Sequence, residues 1–359
     1  RGSSEMRSGF SVRCVRNSED AIYGCTDSIA CNYDPEATIN DFSCWFAEEY
    51  YDCDGNCLND LNNDEICDEL EAPGCTDLGA MNYNPDATFD DGSCEYGDID
   101  GNIFTSVVIG EQKWMAENLM VTHYQNGDSI QYFFDDEDWF ELGEAGIGGY
   151  AIYENDPTNA EIYGNLYNWY VVGDSRNIAP EGWHVPTDEE IMELEMYLGM
   201  SLEEAEDTGY RGTDEGSKLA GNSDLWYYGE LEINPEFGTS GFTALPGGQH
   251  SPYIGGNFSS MNTAGHLWSS SEYNNTMAVK RFLYYENSKV SRINISKRSG
   301  LSIRCVRDPE DAVYGCIDPI ACNYNPEATI NDFSCWFAEE YHDCDGNCLS
   351  GSNVTLTLY

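Results

Sequence analysis

GCTDSIACNYDPEATINDFSC occupies residues 24–44, and the chain repeats it as GCTDLGAMNYNPDATFDDGSC at 74–94 and GCIDPIACNYNPEATINDFSC at 315–335. Each copy is short, polar and rich in turns, too small to bury a core of its own, so it needs covalent staples. Outward from the first and third copies the match widens. Residues 8–58 and 299–349, offset by 299 − 8 = 291 positions, differ at nine of 51 places. Convergence does not reproduce WFAEEYxDCDGNCL letter for letter, so the chain reads as about one and a quarter periods of a tandem array. The order is a domain tail (1–17), a Cys-rich module (18–50), an acidic connector (51–73), a second module (74–96), a large domain (97–308), a third module (309–349) and a new start at 350–359. In that last segment Val354, Leu356 and Leu358 alternate with Thr355, Thr357 and Tyr359. The alternation reads as the first strand of a next β domain, or as a strand donated to a neighbouring subunit and hence a subunit junction.

Acidic residues outnumber basic ones 65 to 16 across 359 residues, a net charge of −49. Cations to neutralise phosphates are missing, which excludes nucleic acid and disfavours anionic membranes. No run approaches 18 apolar residues, so membrane insertion is not expected. Fifteen cysteines with only five histidines and no CxxC knuckle favour disulfides over zinc, and disulfides place the protein in an oxidising, extracellular setting, secreted or at a cell surface.

The cysteine pairs present in all three modules, Cys25 and Cys44, Cys75 and Cys94, Cys316 and Cys335, most simply bridge within each module. Met81 replaces Cys31 in the second module, so the partner of Cys31 is also missing there; Cys14 and Cys53 both satisfy that test. Within one nine-cysteine period, Cys14 to Cys94, pairing Cys31–Cys53 and Cys57–Cys67 leaves only Cys14 over, and by homology Cys305; Cys322–Cys344 repeats the first of these pairs. That scheme is preferred to Cys14–Cys31, which strands a thiol in an exposed acidic loop, whereas a buried free cysteine is an ordinary small apolar residue. Each bridge contributes about 2–4 kcal/mol.

In the connector, Asp60, Asn62, Asp64, the Ile66 carbonyl, Asp68 and Glu71 fall at positions 1, 3, 5, 7, 9 and 12 of a twelve-residue calcium loop. Alternate oxygens on a curling loop can surround one hard cation, and Glu71 can close the sphere with two. Position 6, where such a loop wants glycine, holds Glu65. Asp52 and Asp54 in DCDGNC are further candidate ligands, whereas the similar DIDGN at 98–102 reads as a hairpin turn. Calcium is the expected cofactor, acting as a stiffener of a self-repelling linker.

The large domain is turn-rich. Thr187 and Glu190 form a capping-box pattern ahead of Ile191, Leu194, Met196 and Leu198, which predicts a helix. Strands are expected at 104–109, 150–153, 279–285, 289–295 and 301–306, giving an α+β fold with mainly antiparallel strands.

DIDGNIFTSVVIGEQKWMAENL (98–119), YGNLYNWYVV (163–172), PEGWHVPTDEEI (180–191), GFTALPGG (241–248), LWSSSEY (267–273) and SGLSIRCVRD (299–308) follow one another as in the Fibrobacter succinogenes major paralogous domain, which this region resembles. GWHVPTDEEI and GLSIRCVR are also similar to the signature of the formylglycine-generating-enzyme-like group. The resemblance implies a C-type-lectin-like fold and a surface or secreted protein of Bacteroidetes-like bacteria. Two departures bear on function. The family's "CPxGW" cysteine is Ala179 here, and the reactive cysteine pair of the formylglycine enzymes is reduced to Cys305 in an expected core strand, so oxidase activity is not expected. The modules resemble short repeats between domains of large surface proteins from the same bacteria, and residues 52–71 are similar to the calcium connectors of thrombospondin type 3 repeats and dockerins.

His123, His184, His250 and His266 stand without a triad or HExxH context and are expected to be packing residues; Ser269–Ser271 lack a nucleophile elbow. Asn257, Asn274, Asn294 and Asn353 lie in N-x-S/T sequons, and Ser28 and Ser129 fit a D-S/T-aliphatic O-glycosylation pattern. The expected function is a non-enzymatic extracellular fibre, filament or adhesin stalk whose partners are neighbouring repeats or identical chains. The alternative is a carbohydrate-binding module in which Trp226, Tyr228, Tyr253 and Trp268 stack on sugar rings, unless those aromatics fill the core.

Overall fold

A computed structural model describes residues 21–60, 65–253, 257–308, 312–338, 342–344 and 347. The chain divides into two compact units, residues 1–73 with 86–89, and residues 74–85 with 90–359. The architecture is α+β and mostly sheet, with short helices and, among the described residues, six disulfides.

The module turns are built from side chains rather than from long ladders. Asn32, Asn82 and Asn323 each donate from Nδ2 to a serine carbonyl (Ser43, Ser93, Ser334) and accept at Oδ1 the N–H two residues beyond it (Trp45, Glu95, Trp336). An amide side chain thus replaces a missing strand neighbour. The hydroxyls of Thr38, Thr88 and Thr329 accept the N–H of Ile22, Ala72 and Val313. Two-residue parallel ladders pair Tyr23–Gly24 with Ile39–Asn40 and Tyr314–Gly315 with Ile330–Asn331. Bridges Cys25–Cys44, Cys75–Cys94 and Cys316–Cys335 close loops with a sequence separation of 19. Cys31–Cys53, Cys322–Cys344 and Cys57–Cys67 close others. Among the described residues Cys305 is the free cysteine, and it is buried; Cys14 lies outside them.

Among the described residues the two largest sheets of the large domain are antiparallel. One runs in the order Trp183–His184, Val306–Arg307, Gln112–Met115, Ile103–Ile109, Glu95–Gly97, and the other Gly209–Arg211, Asn287–Ser296, Met277–Tyr284, Ala264–Asn274. The strand Glu95–Gly97 begins inside the second module, and Cys75, Ala80, Cys94 and Tyr96 join the same core as Trp183, Trp268 and Ile303. The boundary drawn at 96/97 therefore falls within a strand. Asp77 adds a polar anchor, accepting from the Tyr96 hydroxyl at 2.7 Å and Lys113 Nζ at 3.1 Å. Partial burial pushes the Asp77 carboxyl up, but the Tyr96, Gly79 and Lys113 donors outweigh it and hold it at about 2.

The helix Asp188–Tyr197 starts at Thr187 with both halves of the capping box formed. Between residues 301 and 306 the chain departs from expectation. Only Val306–Arg307 forms a ladder; Leu301 pairs with Tyr167, Ser302 with Leu267, while the Ile303 and Cys305 carbonyls accept from Leu119 and Met115. The segment threads the core and bonds to several neighbours in turn, so no single partner strand defines it. Ala264–Asn274, an 11-residue strand, was not expected from its Ser-rich sequence.

Candidate functional site

Gly182, in a left-handed turn (φ 77), delivers the chain into the short strand Trp183–His184. Trp183 goes into the aromatic core against Tyr96 and Phe104. His184, also buried, is gripped on both sides: Nδ1 lies 2.8 Å from Asp308 Oδ1 and Nε2 2.8 Å from Glu190 Oε1. Glu190 is held by its other oxygen, which accepts from Thr187 N–H and hydroxyl in the capping box. Asp308 takes a further bond, 2.6 Å, from the hydroxyl of Tyr314 in the third module. Burial pulls the His184 pKa down, but the hydrogen bonds and charges of Asp308 and Glu190 outweigh it and push it up to about 9. Glu190 is shifted the other way: burial raises it, His184 lowers it, and the net direction is down. Burial and the Asp308 carboxylate raise the Tyr314 phenol.

A ring whose two nitrogens both donate to carboxylates has no lone pair for proton abstraction at neutral pH. His184 is thus a charged clasp, more than the packing residue expected of it. It borders a crevice of about 340 Å³ between domain and third module, lined among others by Asp174, Asn177, Glu181, Asn331 and Phe333. The Phe333 ring meets Trp169 edge-on at 6.2 Å. A second space of about 30 Å³, between Trp114, Leu194 and Phe242, lies within the core packing and has room for little more than one water.

Among the described residues the ring nitrogens of His184 bond to Asp308 and Glu190 and to no hydroxyl or thiol. Ser269 is buried with its hydroxyl on the Val279 carbonyl, and Ser271 Oγ accepts the Asp188 N–H. The Cys305 thiol is fully enclosed, and burial pushes its pKa well up, so it stays a neutral thiol.

Sequence reading missed the ionic cluster beside the clasp. Glu195, fully buried, takes both Nη atoms of Arg211 (2.8 and 2.9 Å) and Arg281 Nε (2.8 Å). Asp188 takes Arg281 Nη1 at 2.6 Å and Arg292 Nε at 3.0 Å. Three guanidiniums thus bind two carboxylates and lock the helix to the sheet. The signal was available: Asp188, Ile191 and Glu195 share one helical face at i, i+3 and i+7, so two acids sit on the apolar stripe.

The glycan-stacking set divides. Trp268 and Trp226 are buried, with their indole N–H groups on the Tyr167 and Gly221 carbonyls, so neither offers a face to a sugar; core packing claims them. Tyr228 and Tyr253 are exposed and lie on different loops. Among the sequon residues, Asn257 and Asn274 are exposed and Asn294 is half-buried in a strand; Ser28 is exposed on a turn, and Ser129 is exposed in a β-bridge with His123. Asn353, Val354, Leu356 and Leu358 lie outside the described residues, as do Asn62 and Asp64 of the calcium loop.

Asp60 Oδ2 accepts the Glu65 N–H at 3.1 Å, and Glu65 adopts φ 72, the left-handed turn that position 6 of such a loop requires. Ile66, Asp68 and Glu71 follow, with Asp68–Leu70 in a 3-10 turn. Asp52 is engaged differently: Oδ1 accepts the Asp54 and Asn56 N–H groups and Oδ2 the Asn56 amide. Asp98 repeats the pattern with Asp100 and Asn102. DCDGN and DIDGN are therefore the same self-closed turn, and the second Asp of the first, Asp54, contributes its backbone to it. Among the described residues no group of three or more acidic, His or Cys side chains is arranged to hold a metal.

These features define a disulfide-stapled α+β protein with a sheet-rich domain clasped to a small module. The family model of the Fibrobacter succinogenes major domain matches residues 107–307, more than half of the chain, and the protein belongs to that family. No curated protein and no solved structure matches it. Among the described residues no helix is long and apolar enough to cross a membrane.

Proposed function

We propose that the chain is part of a non-enzymatic, extracellular tandem-repeat protein that builds a surface fibre or adhesin stalk from C-type-lectin-like domains and disulfide-stapled modules. The observation that carries this is the repetition of one hydrogen-bonded, bridged module three times along a chain whose first 51 matched residues recur 291 positions later. In arrays of this kind each unit contacts chiefly its neighbours and length comes from repetition. The His184 clasp supports the reading, because it spends its charge on joining domain to module. The enclosed neutral Cys305 supports the absence of oxidase chemistry. Six bridges support an oxidising location.

Calcium at Asp60, Asn62, Asp64, Ile66, Asp68 and Glu71 belongs to the same proposal; the left-handed Glu65 and the inward Asp60 bond fit such a loop. Electron microscopy of the native material with and without a chelator tests both halves. Ordered filaments of constant repeat support assembly as the function, and stiffness unchanged by chelation removes calcium from it. A carbohydrate-binding role is favoured by one observation, the solvent-facing pair Tyr227 and Tyr228. Glycan-array binding lost in Tyr228→Ala with unchanged melting would support it; an array without binders would remove it.

A further inference from the structure

Modules one and three carry nearly the same sequence, and among the described residues module three has its face covered by the large domain of its own unit. There Phe333 packs against the large-domain core and edge-on to Trp169, Ile330 is buried, and the Tyr314 hydroxyl binds Asp308. In module one Phe42 is 91 % exposed and Ile39 half-buried, while Tyr23, 52 % exposed, differs less from Tyr314 at 40 %.

The backbone sharpens the contrast. Phe42 and Phe333 have φ 66 and φ 56, a left-handed conformation that a bulky ring adopts only against steric resistance. Their N–H groups close the same turn onto Asn40 and Asn331 Oδ1. In the second module that turn, closed on Asp90, holds Gly92 at φ 79. Glycine is what the turn alone asks for. The ring at 333 is explained by its contact with the domain, and the identical, equally strained ring at 42 calls for the same contact.

We propose that module one docks through Phe42, Ile39 and Tyr23 onto a second copy of the large domain joined to it in tandem. The proposal rests on the array reading above and names its junction. Residues 8–17, SGFSVRCVRN, repeat SGLSIRCVRD of 299–308, through which the large domain leads into module three. A copy on another chain already carries its own module three on that face, so docking across chains requires displacement.

The test compares the chain with the chain extended by one of its own periods, residues 1–298 followed by 8–359, using hydroxyl-radical footprinting. Ile22→Val, the residue standing at 313, marks the inner module. In the unextended chain Phe42 oxidises several-fold faster than Phe333. In the extended chain the inner Phe42 falls to the rate of Phe333 at every protein concentration, while the outer one stays fast. An inner Phe42 as fast as the outer one overturns the proposal, as does protection that builds with concentration in the unextended chain. Phe42→Ser leaves melting of the unextended chain unchanged and loosens the inner module of the extended one; a loss in both means a folding role instead. Filaments seen with an exposed inner Phe42 would sink the docking alone, whereas a covered Phe42 in material without order would sink the array reading alone.

Discussion

The small modules and the large domain are held together by different physics. Among the described residues of module one the buried apolar ones are Cys25 and Ala30, and order comes from bridges and the side-chain bonds of Asn32 and Thr38. The large domain buries Trp114, Trp139, Trp183 and Trp268 almost completely and leaves its one cysteine, Cys305, unpaired. A module too small to bury area must limit its unfolded state instead, and a domain of some 200 residues can rely on burial. The second module stands between these cases, because both cysteines of its Cys75–Cys94 bridge lie in the domain core.

Reduction is the largest perturbation of this contrast. With a thiol-free reductant the amides of residues 21–46 lose protection from hydrogen exchange as bridges worth about 2–4 kcal/mol each open. The large domain keeps its melting transition, and Cys75–Cys94 is the last bridge to be reduced. Simultaneous loss of both regions would show that the domain too depends on its staples. The converse experiment is Glu195→Ala, which leaves Arg211 and Arg281 without their shared carboxylate. Uncompensated buried charge costs about 3–5 kcal/mol, so denaturant melting of the large domain drops by that amount while module one keeps its protection. A loss under 1 kcal/mol, of the order of an exposed pair, would mean that water reaches the cluster.

Acidity tests the seam between the two regions. The folded His184 pKa is about 9 against 6.5 for a free imidazole. A group raised on folding contributes its full stability below its unfolded pKa, so the clasp is complete near pH 6 and is lost as pH rises from 6.5 through 9. The full effect is on the order of 3 kcal/mol. Lys280 acts in the opposite sense above pH 8, since burial lowers its pKa to about 8 and the unfolded chain then binds the extra proton. The difference between wild type and His184→Gln isolates the clasp: the variant loses the decline between pH 6.5 and 9. An NMR titration placing His184 below 7 would overturn the clasp.

Local rules were legible and distant partners were not. Thr187 and Glu190 announced the helix Asp188–Tyr197, and the strands expected at 104–109, 279–285 and 289–295 form as Ile103–Ile109, Met277–Tyr284 and Asn287–Ser296. Ala264–Asn274 hid because three consecutive serines, one of them the buried Ser269, break the apolar pattern. His184 finds Asp308 across 124 residues, a pairing that no spacing rule contains. Trp226 and Trp268 show the reverse failure: residue type suggests a sugar platform, and only burial decides against it. Phe42 and Phe333 sit in the same local sequence, so nothing local could separate the exposed ring from the covered one.

The smallest effect asks whether the regions differ even in a single turn. Gly55 in the connector and Gly101 in the domain hairpin occupy the same D-x-D-G-N turn, at φ 85 and φ 81, and an added Cβ meets no atom within 4 Å at either place. Gly55→Ala and Gly101→Ala therefore change backbone preference alone, at about 1 kcal/mol each. Equal losses, read by hydrogen exchange at residues 52–58 and 98–104, would show that the turns are chemically one and that bridge and core alone distinguish their settings. A larger loss at Gly55, appearing only when calcium is present, would mean that the connector turn also shapes an ion site, and would move Asp52 from turn-former to ligand.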